Sequence, residues 1–562
     1  MPTAVGGGAY EPRKAHAVLF FNTLAFTVCF AVWMLNGVLV TFLVEHDVFR
    51  WNAAQMGWLM GIPVLTGSVF RLPAGMLTDR FGGRIVFGVL LILAAIPTFL
   101  LSTADSFATY ALWSFGMGLV GTSFAIGIAY TSVWYPMERQ GLALGIFGAG
   151  NAGAAVTTLV GPRLLDFWTR HGSMLEGWRT LPRACAVMLV ITGVVFLAFT
   201  HTRVLPGVRG QGPGRLLLPL RSLRVWRFGL YYFLVFGCFV AFSQWLVPYL
   251  VGAYGMTLVA AGAIASMFSL PSGVIRALGG WVSDRWGART VMYWVLGTSL
   301  ATTLLLCFPR MEITSPGKGV AATRGGVVTA VNEREVRVGE QTYPLRPRPA
   351  QVVYSDDRIL VWPSRVSWQE PVVRLGDRVK RKQLLARGVT HIYFQANVWI
   401  FAGLVILVGV AWGIGKAAVY KYIPDYFPRD VGVVGGMVGV LGGLGGFFGP
   451  VIFGYLLEWS GLWSSCWWFL FVLSAGCLLW MLRTVQQLML KRVPRLMREL
   501  EARTLVCPVR GVEVEIETET VDGVLQLRRC SLMTGEVFSE DCPPSCGATC
   551  LQQRSTREDK RP

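Results

Sequence analysis

The chain of 562 residues predicts an all-α membrane protein of twelve transmembrane helices in two six-helix halves, with a small β-rich insert between spans nine and ten. Three observations predict it. Hydrophobic residues make up 53% of the chain and charged residues 15%, with a mean hydropathy of +0.51, which excludes an ordinary soluble globular protein. Apolar runs of the ~20 residues needed to cross hydrocarbon as a helix recur along the sequence. A segment closing the second run also returns, little changed, at the close of the eighth.

In order, the spans read 17-43, 53-77, 85-102, 108-134, 141-163, 184-201, 227-252, 258-282, 290-308, 395-423, 431-457 and 463-484. The basic, Gly/Pro-rich stretch from Arg203 to Arg227 divides them six and six. The domain organisation expected is therefore 1-202 for the first half, 203-226 for a cytoplasmic linker and 227-309 for spans seven to nine. An insert at 310-393, spans ten to twelve at 394-484 and a tail at 485-562 complete it.

Short loops carrying Arg80/Arg84, Arg139, the 203-227 stretch, Arg285/Arg289 and Arg429 are basic, and they alternate with acidic or neutral loops around Glu45/Asp47 and Asp105. Lysine and arginine mark the cytoplasmic side, so both termini come out cytoplasmic in a multi-pass cytoplasmic-membrane protein. The net charge of +19 fits that rule and a surface of anionic lipid, and needs no nucleic-acid partner. Met1 to Arg13 shows no short apolar region with a cleavage-like site, so no removable signal peptide is expected.

Two soluble attachments stand apart. Between about Arg310 and His391, Val327-Val331, Val336-Val338, Gln351-Tyr354 and Ile359-Trp362 alternate with period two and read as strands. Val372 to Gly388 resembles the closing turn and strand of a lipoyl or barrel-sandwich domain, without a lysine hairpin for modification. This insert is expected on the outer face in a structural or docking role. After span twelve, Lys491, Arg492, Arg495 and Arg498 form a basic helix, followed by Cys507, Cys530, Cys542, Cys546 and Cys550 in a β-like tail. Cys542, Cys546 and Cys550 are weak metal candidates because their spacing is not that of a zinc knuckle. No cofactor is expected.

The repeated segment is RLPAGMLTDRFGGR from Arg71 to Arg84 and RALGGWVSDRWGAR from Arg276 to Arg289. Each copy sets an arginine inside an apolar run, eight residues before an Asp-Arg turn. Eight helical residues span roughly 12 Å, which puts Arg71 and Arg276 near mid-bilayer. Uncompensated cations at that depth are costly and mark an anion site between the halves. The turns, with Asp79, Arg80, Arg84, Asp284, Arg285 and Arg289, lie at the surface and read as interdomain latches.

Spans five and eleven are glycine-rich: Gly148, Gly150 and Gly153 in the first, Gly439, Gly442, Gly443, Gly445 and Gly446 in the second. Small residues let helices approach at backbone distance in lipid, which is a packing signature in itself. Asn151, a polar amide at the same depth, adds a ligand-like group. In span ten, Lys416 stands about eight residues inside the turn at Asp425. Buried lysine can release a proton where arginine cannot, so Lys416 is the coupling candidate, or else it snorkels or adds positive potential.

With GMLTDRFGGR after span two, the two-halved twelve-span pattern resembles the major facilitator superfamily. The GxGNxG and GGxGGFxxGP spans, with an arginine in spans two and eight, resemble its nitrate/nitrite porter branch. That resemblance implies Arg71 and Arg276 as the anion-holding pair and Asn151 as the amide of the fifth-span signature. It further implies Tyr232 as a donor, with Phe124 and Phe236 as aromatic walls around planar nitrate or nitrite. GKAAVYKxIP looks like the subgroup of nitrate-proton symporters, whereas nitrate/nitrite exchange would need no proton relay. A prokaryotic inner-membrane monomer acting by alternating access follows. A non-transporting anion sensor is the reading of another class, and enzyme chemistry is disfavoured because the five histidines are scattered.

Overall fold

The computed structural model describes residues 11-203, 218-308, 311-348, 364-394, 398-427, 431-499, 501-506, 512-521 and 524-530. Expected strands 351-354 and 359-362, the linker from 204 to 217, Arg429, and Cys507, Cys542, Cys546 and Cys550 lie outside them.

Spans one to six are the helical stretches Pro12–Glu45, Ala53–Phe81, Gly83–Thr103, Phe107–Trp134, Arg139–Trp168 and Leu175–Phe199. The second half holds Leu223–Tyr254 (span seven), then Leu258–Val274 continued by Arg276–Trp286 (span eight), then Ala288–Leu306, Val398–Tyr426, Val431–Ser460 and Ser465–Glu499. Among the described residues ten helices are long and apolar enough to cross a membrane, eleven if the pair bent by 51° in span eight counts as one. Ala288–Leu306, the ninth expected span, falls short because Arg289, Thr298, Ser299, Thr302 and Thr303 dilute it. Its hydroxyls are nonetheless satisfied within the helix: Ser299, Thr302 and Thr303 each donate to the carbonyl four residues back at 2.7 Å.

Local chemistry sets the ends. Asn52 accepts from the Gln55 amide at 2.8 Å while the Gln55 side chain accepts from the Asn52 amide at 3.0 Å, a reciprocal cap that starts span two. In the repeated turns, Gly82 (φ 82°) and Gly287 (φ 79°) adopt the same positive-φ conformation, which a side chain would strain. The repeat is thus a repeat of backbone geometry as well as of letters.

Several spans lose regular geometry midway. Span one breaks at Met34 and span two at Phe70, directly before Arg71; span eight breaks at Ile275, directly before Arg276. Span four carries a 3₁₀ segment at Gly118–Thr122, span five another at Ala149–Ala152, and span seven a π segment at Phe233–Gly237. Such interruptions free backbone groups and cluster at ligand sites in membrane carriers.

Across the halves, span two packs on span eleven, span five on span eight, and span one on span seven. At the Asn52 end this packing is close. A methyl at Gly57 would meet the Pro450 carbonyl, one at Gly454 the Ala53 carbonyl, and one at Gly262 the Thr158 carbonyl. Asn52 donates to Glu458 at 3.3 Å and Trp58 to Tyr455 at 3.2 Å. Toward the other end Gly75, Gly141 and Gly280 have nothing within 4 Å of where a methyl would stand.

Strands β1 (Met311–Ala321), β7 (Leu384–Phe394) and β5 (Ser364–Pro371) form one antiparallel sheet, and β4 (Gln341–Pro344), β3 (Glu335–Val338), β2 (Gly326–Val331) and β6 (Arg378–Val379) another. The expected strands at 327-331 and 336-338 are β2 and β3. Val328, Val336, Val338, Tyr343, Val379 and Leu385 make their shared core. Separately, residues from Leu478 onward form their own compact unit. There β8 (Glu501–Val506) and β10 (Val524–Cys530) flank β9 (Glu513–Val521).

Candidate substrate site

Arg71 opens the second segment of span two and is 4% exposed. Its Nη1 donates across the halves to the Gly439 carbonyl of span eleven at 2.8 Å, and its Nε to the Gly121 carbonyl at 3.4 Å. Nη2 is buried without a partner. The guanidinium carbon lies 5.3 Å from the Phe236 ring centre, 5.5 Å from that of Phe124 and 5.7 Å from that of Trp33.

Arg276 opens the matching segment of span eight. Its guanidinium carbon is 5.2 Å from the same Phe124 ring and 5.5 Å from Tyr420, and its Nη1 is buried without a partner. One aromatic ring therefore carries both cations. Among the described residues no carboxylate pairs with either, so their desolvation is offset only by carbonyls and π faces. A cradle of this kind lacks one component: negative charge.

Phe124 and Phe236 lie 6.1 Å apart between ring centres, with planes inclined by 23°. Tyr232 stacks on Phe236 at 4.9 Å and meets Tyr420 edge-on at 5.0 Å. Its hydroxyl is buried beside Tyr420 without a hydrogen bond of normal geometry. Asn151 is wholly buried with neither amide atom partnered, and its backbone lies against span eight at Gly273, one turn before Arg276. The structure thus gathers Arg71, Arg276, Phe124, Phe236 and Tyr232 in one cluster, with Asn151 on the span facing it.

The glycine-rich spans serve the two arginines crosswise. In span five of the first half, a methyl at Gly148 would stand 3.2 Å from Cδ of Arg276 in the second half. In span eleven of the second half, one at Gly443 would stand 3.2 Å from Nη1 of Arg71 in the first, and one at Gly442 would collide with the Tyr232 ring. Gly150, Gly153, Gly445 and Gly446 admit Phe26, Thr27, Phe233 and Val240 at similar range.

Lys416 is wholly buried one turn from Tyr420 and outside the cluster of rings. Its Nζ donates to Ser272 Oγ at 3.0 Å and lies 3.1 Å from the Phe239 ring centre. Ser272 in turn is one helical turn before Arg276. The surface turns make contacts within their own halves: Asp284 pairs with Lys421 of span ten at 2.6 Å, Arg289 donates to Tyr426 at 3.3 Å, and Arg84 to the Leu197 carbonyl at 3.2 Å. Arg80 lies over Phe81 and Arg285 over Trp281 and Trp286. Asp79 is exposed at the end of span two.

Sequence reasoning did not single out Trp33, Gly121, Ser272 or Tyr420. Tyr420 sits four residues after Lys416, a spacing that places both on one helix face and could have raised it. Nothing comparable marked Trp33, since an aromatic in an apolar helix is ordinary packing.

Comparison with known proteins follows this geometry. The model of the Major Facilitator Superfamily matches residues 21–323 and 372–508. A probable nitrate/nitrite antiporter of Thermus thermophilus, NarK1, is 38% identical over 86% of this chain and 95% of its own. A probable nitrate/nitrite transporter of Mycobacterium tuberculosis, NarK2, is 32% identical over 55% of this chain and 76% of its own. Among solved structures, a bacterial homologue of the human lysosomal transporter Spinster overlays with a TM-score of 0.57 at 13% identity, covering 85% of this chain and 98% of that one. With the family model matched over most of its length and a long alignment to NarK1, the chain belongs to the major facilitator superfamily and, within it, to the nitrate/nitrite porters, a family of carriers rather than enzymes.

Proposed function

We propose that this protein carries nitrate and nitrite across the cytoplasmic membrane by alternating access, with twelve spans and both termini cytoplasmic. One observation carries the reading: two guanidiniums, from matching positions in the two halves, share the Phe124 ring, have no carboxylate partner among the described residues and each keep a buried, unpartnered nitrogen. A planar oxyanion supplies the missing charge and accepts those donors in the plane of the guanidinium fork. The faces of Phe124 and Phe236, inclined by 23°, favour a flat anion over tetrahedral phosphate or sulfate. Arg71 already bridges to Gly439 of the other half, so an anion on both arginines would draw the halves together while its absence leaves two like charges facing one ring.

For coupling, Lys416 supports nitrate-proton symport. Its ammonium donates to Ser272, one helical turn before Arg276, and lysine can give up a proton when sealed from water. The second reading is nitrate/nitrite exchange, favoured by the name of the Thermus relative and by the lack of carboxylate partners at the site. The test is labelled nitrate uptake into proteoliposomes. Arg71→Lys or Arg276→Lys should lower uptake at least 100-fold with membrane insertion intact; normal uptake in either sinks the site. Stimulation by an inward proton gradient, lost in Lys416→Gln, supports symport, whereas stimulation by internal nitrite alone leaves exchange.

A further inference from the structure

Two carboxamides among the described residues are buried with neither amide atom partnered: Asn151, on the span that faces the site, and Gln244, which the site does not use. Gln244 lies in span seven, two helical turns from Phe236, or roughly 12 Å along the helix toward the tightly packed Asn52 end. Val240, one turn before it, packs with Val64 of span two against Gly446, so this face of span seven looks at the first half. Gln244 itself is sealed by span one: a methyl at Gly37 would stand 2.6 Å from its Cα and 2.9 Å from its Cβ. A glycine is what permits that closure. Ser243, its neighbour, accepts from Ser269 at 3.1 Å, and neither amide atom of Gln244 has a partner.

A buried amide left unpaired is costly in apolar surroundings, and a lasting packing role would be met more cheaply by leucine or methionine. Under the alternating access proposed above, that cost is relieved when spans one and seven part. We propose that Gln244 is a second amide station for the anion: with the Asn52 end open, its Nε2–H donates to nitrate or nitrite on the route between the outside and the arginine pair. This rests on the function and orientation proposed above.

The experiment compares Gln244→Met, which keeps length and flexibility but removes the donor, with Gln244→Asn, which keeps the amide. Nitrate is presented to full-length protein in proteoliposomes of determined orientation, from each face in turn. Gln244→Met is expected to raise KM about tenfold at the outer face, the worth of one hydrogen bond to a charged group, with kcat and the inner-face KM unchanged. Gln244→Asn should recover part of the loss. An unchanged outer KM, or an equal rise at both faces, overturns the proposal while leaving the arginine site standing. If Gln244→Met carries nothing from either face, Gln244→Leu is measured instead, and loss of inner-face transport there too assigns Gln244 to structure and overturns the station. A wild-type protein that moves neither anion overturns both readings.

Discussion

Replacing Gly443 by alanine adds one methyl group where span eleven crosses span two. That methyl would stand 2.3 Å from Ser68 Oγ, 3.0 Å from Ser68 Cβ and 3.2 Å from Arg71 Nη1. The hydroxyl can rotate away; the Cβ cannot. Restoring ordinary carbon contact requires the two spans to separate by roughly 0.5 Å, and overpacking of this order costs about 1–3 kcal/mol. The same retreat lengthens the 2.8 Å bond from Arg71 to Gly439, which belongs to span eleven and moves with Gly443. A charged hydrogen bond is worth about 1.5–3 kcal/mol, so partial loss alone predicts about a tenfold fall in nitrate uptake. The assay is initial uptake in proteoliposomes at matched protein density, with thermal unfolding in detergent as the measure of packing. Ser68→Gly removes the two nearest of the three atoms that the methyl meets, so Ser68→Gly/Gly443→Ala should transport better than Gly443→Ala alone, a coupling measurable as a double-mutant cycle. Wild-type uptake in Gly443→Ala would refute the argument that this crossing sets the position of Arg71.

Other expectations follow from the same packing. Gly148→Leu should push Arg276 from its seat and lower uptake at least tenfold, whereas Gly141→Leu, which meets nothing within 4 Å, should leave it within twofold; equal effects would remove the crosswise role of the glycine spans. Tyr420→Phe deletes the 3.3 Å bond to the Gly435 carbonyl but keeps the ring under Arg276, so KM should change by less than about fivefold, while Tyr420→Leu should cost more; the reverse order contradicts the ring contact. In the insert, Lys382 holds φ 68°, so Lys382→Gly should raise resistance to proteolysis there by about 1 kcal/mol. The Glu370 carboxyl accepts from the Trp368 indole at 3.0 Å and from Arg387 at 2.7 Å, which hold it below the usual range. Its contribution is therefore present above the ordinary glutamate range and lost as pH falls through its lowered folded value. Protease sensitivity of the insert should rise over that acid window, and Glu370→Gln should flatten the dependence.

What the sequence exposed depended on contrast. Arg71 and Arg276 stand out because charge inside an apolar run is rare, and the repeated Asp-Arg turn gives both the same expected depth. The glycine runs were equally visible, yet composition could not say that each serves the arginine of the opposite half, because that is a property of packing. Tyr420 and Trp33 were hidden by being ordinary where they stand. Span eight was read as one continuous run and proves to bend by 51°. The ninth helix formed as expected but is less apolar than its neighbours, since its hydroxyls are silenced by their own backbone rather than absent. Latch roles for the Asp-Arg turns had only their surface position behind them, and Asp284 and Arg289 are engaged within their own half.

The interrupted helices around the site bear on where this carrier yields to force. A regular membrane helix resists bending because every turn is tied to the next, and a π or 3₁₀ segment loosens those ties locally. Here the loosened turns at Gly118–Thr122, Ala149–Ala152 and Phe233–Gly237, with the breaks before Arg71 and Arg276, lie beside the arginines and rings of the proposed site. On the proposed site grip and elbow are one place: an anion held there would brace the same turns that let the spans bend.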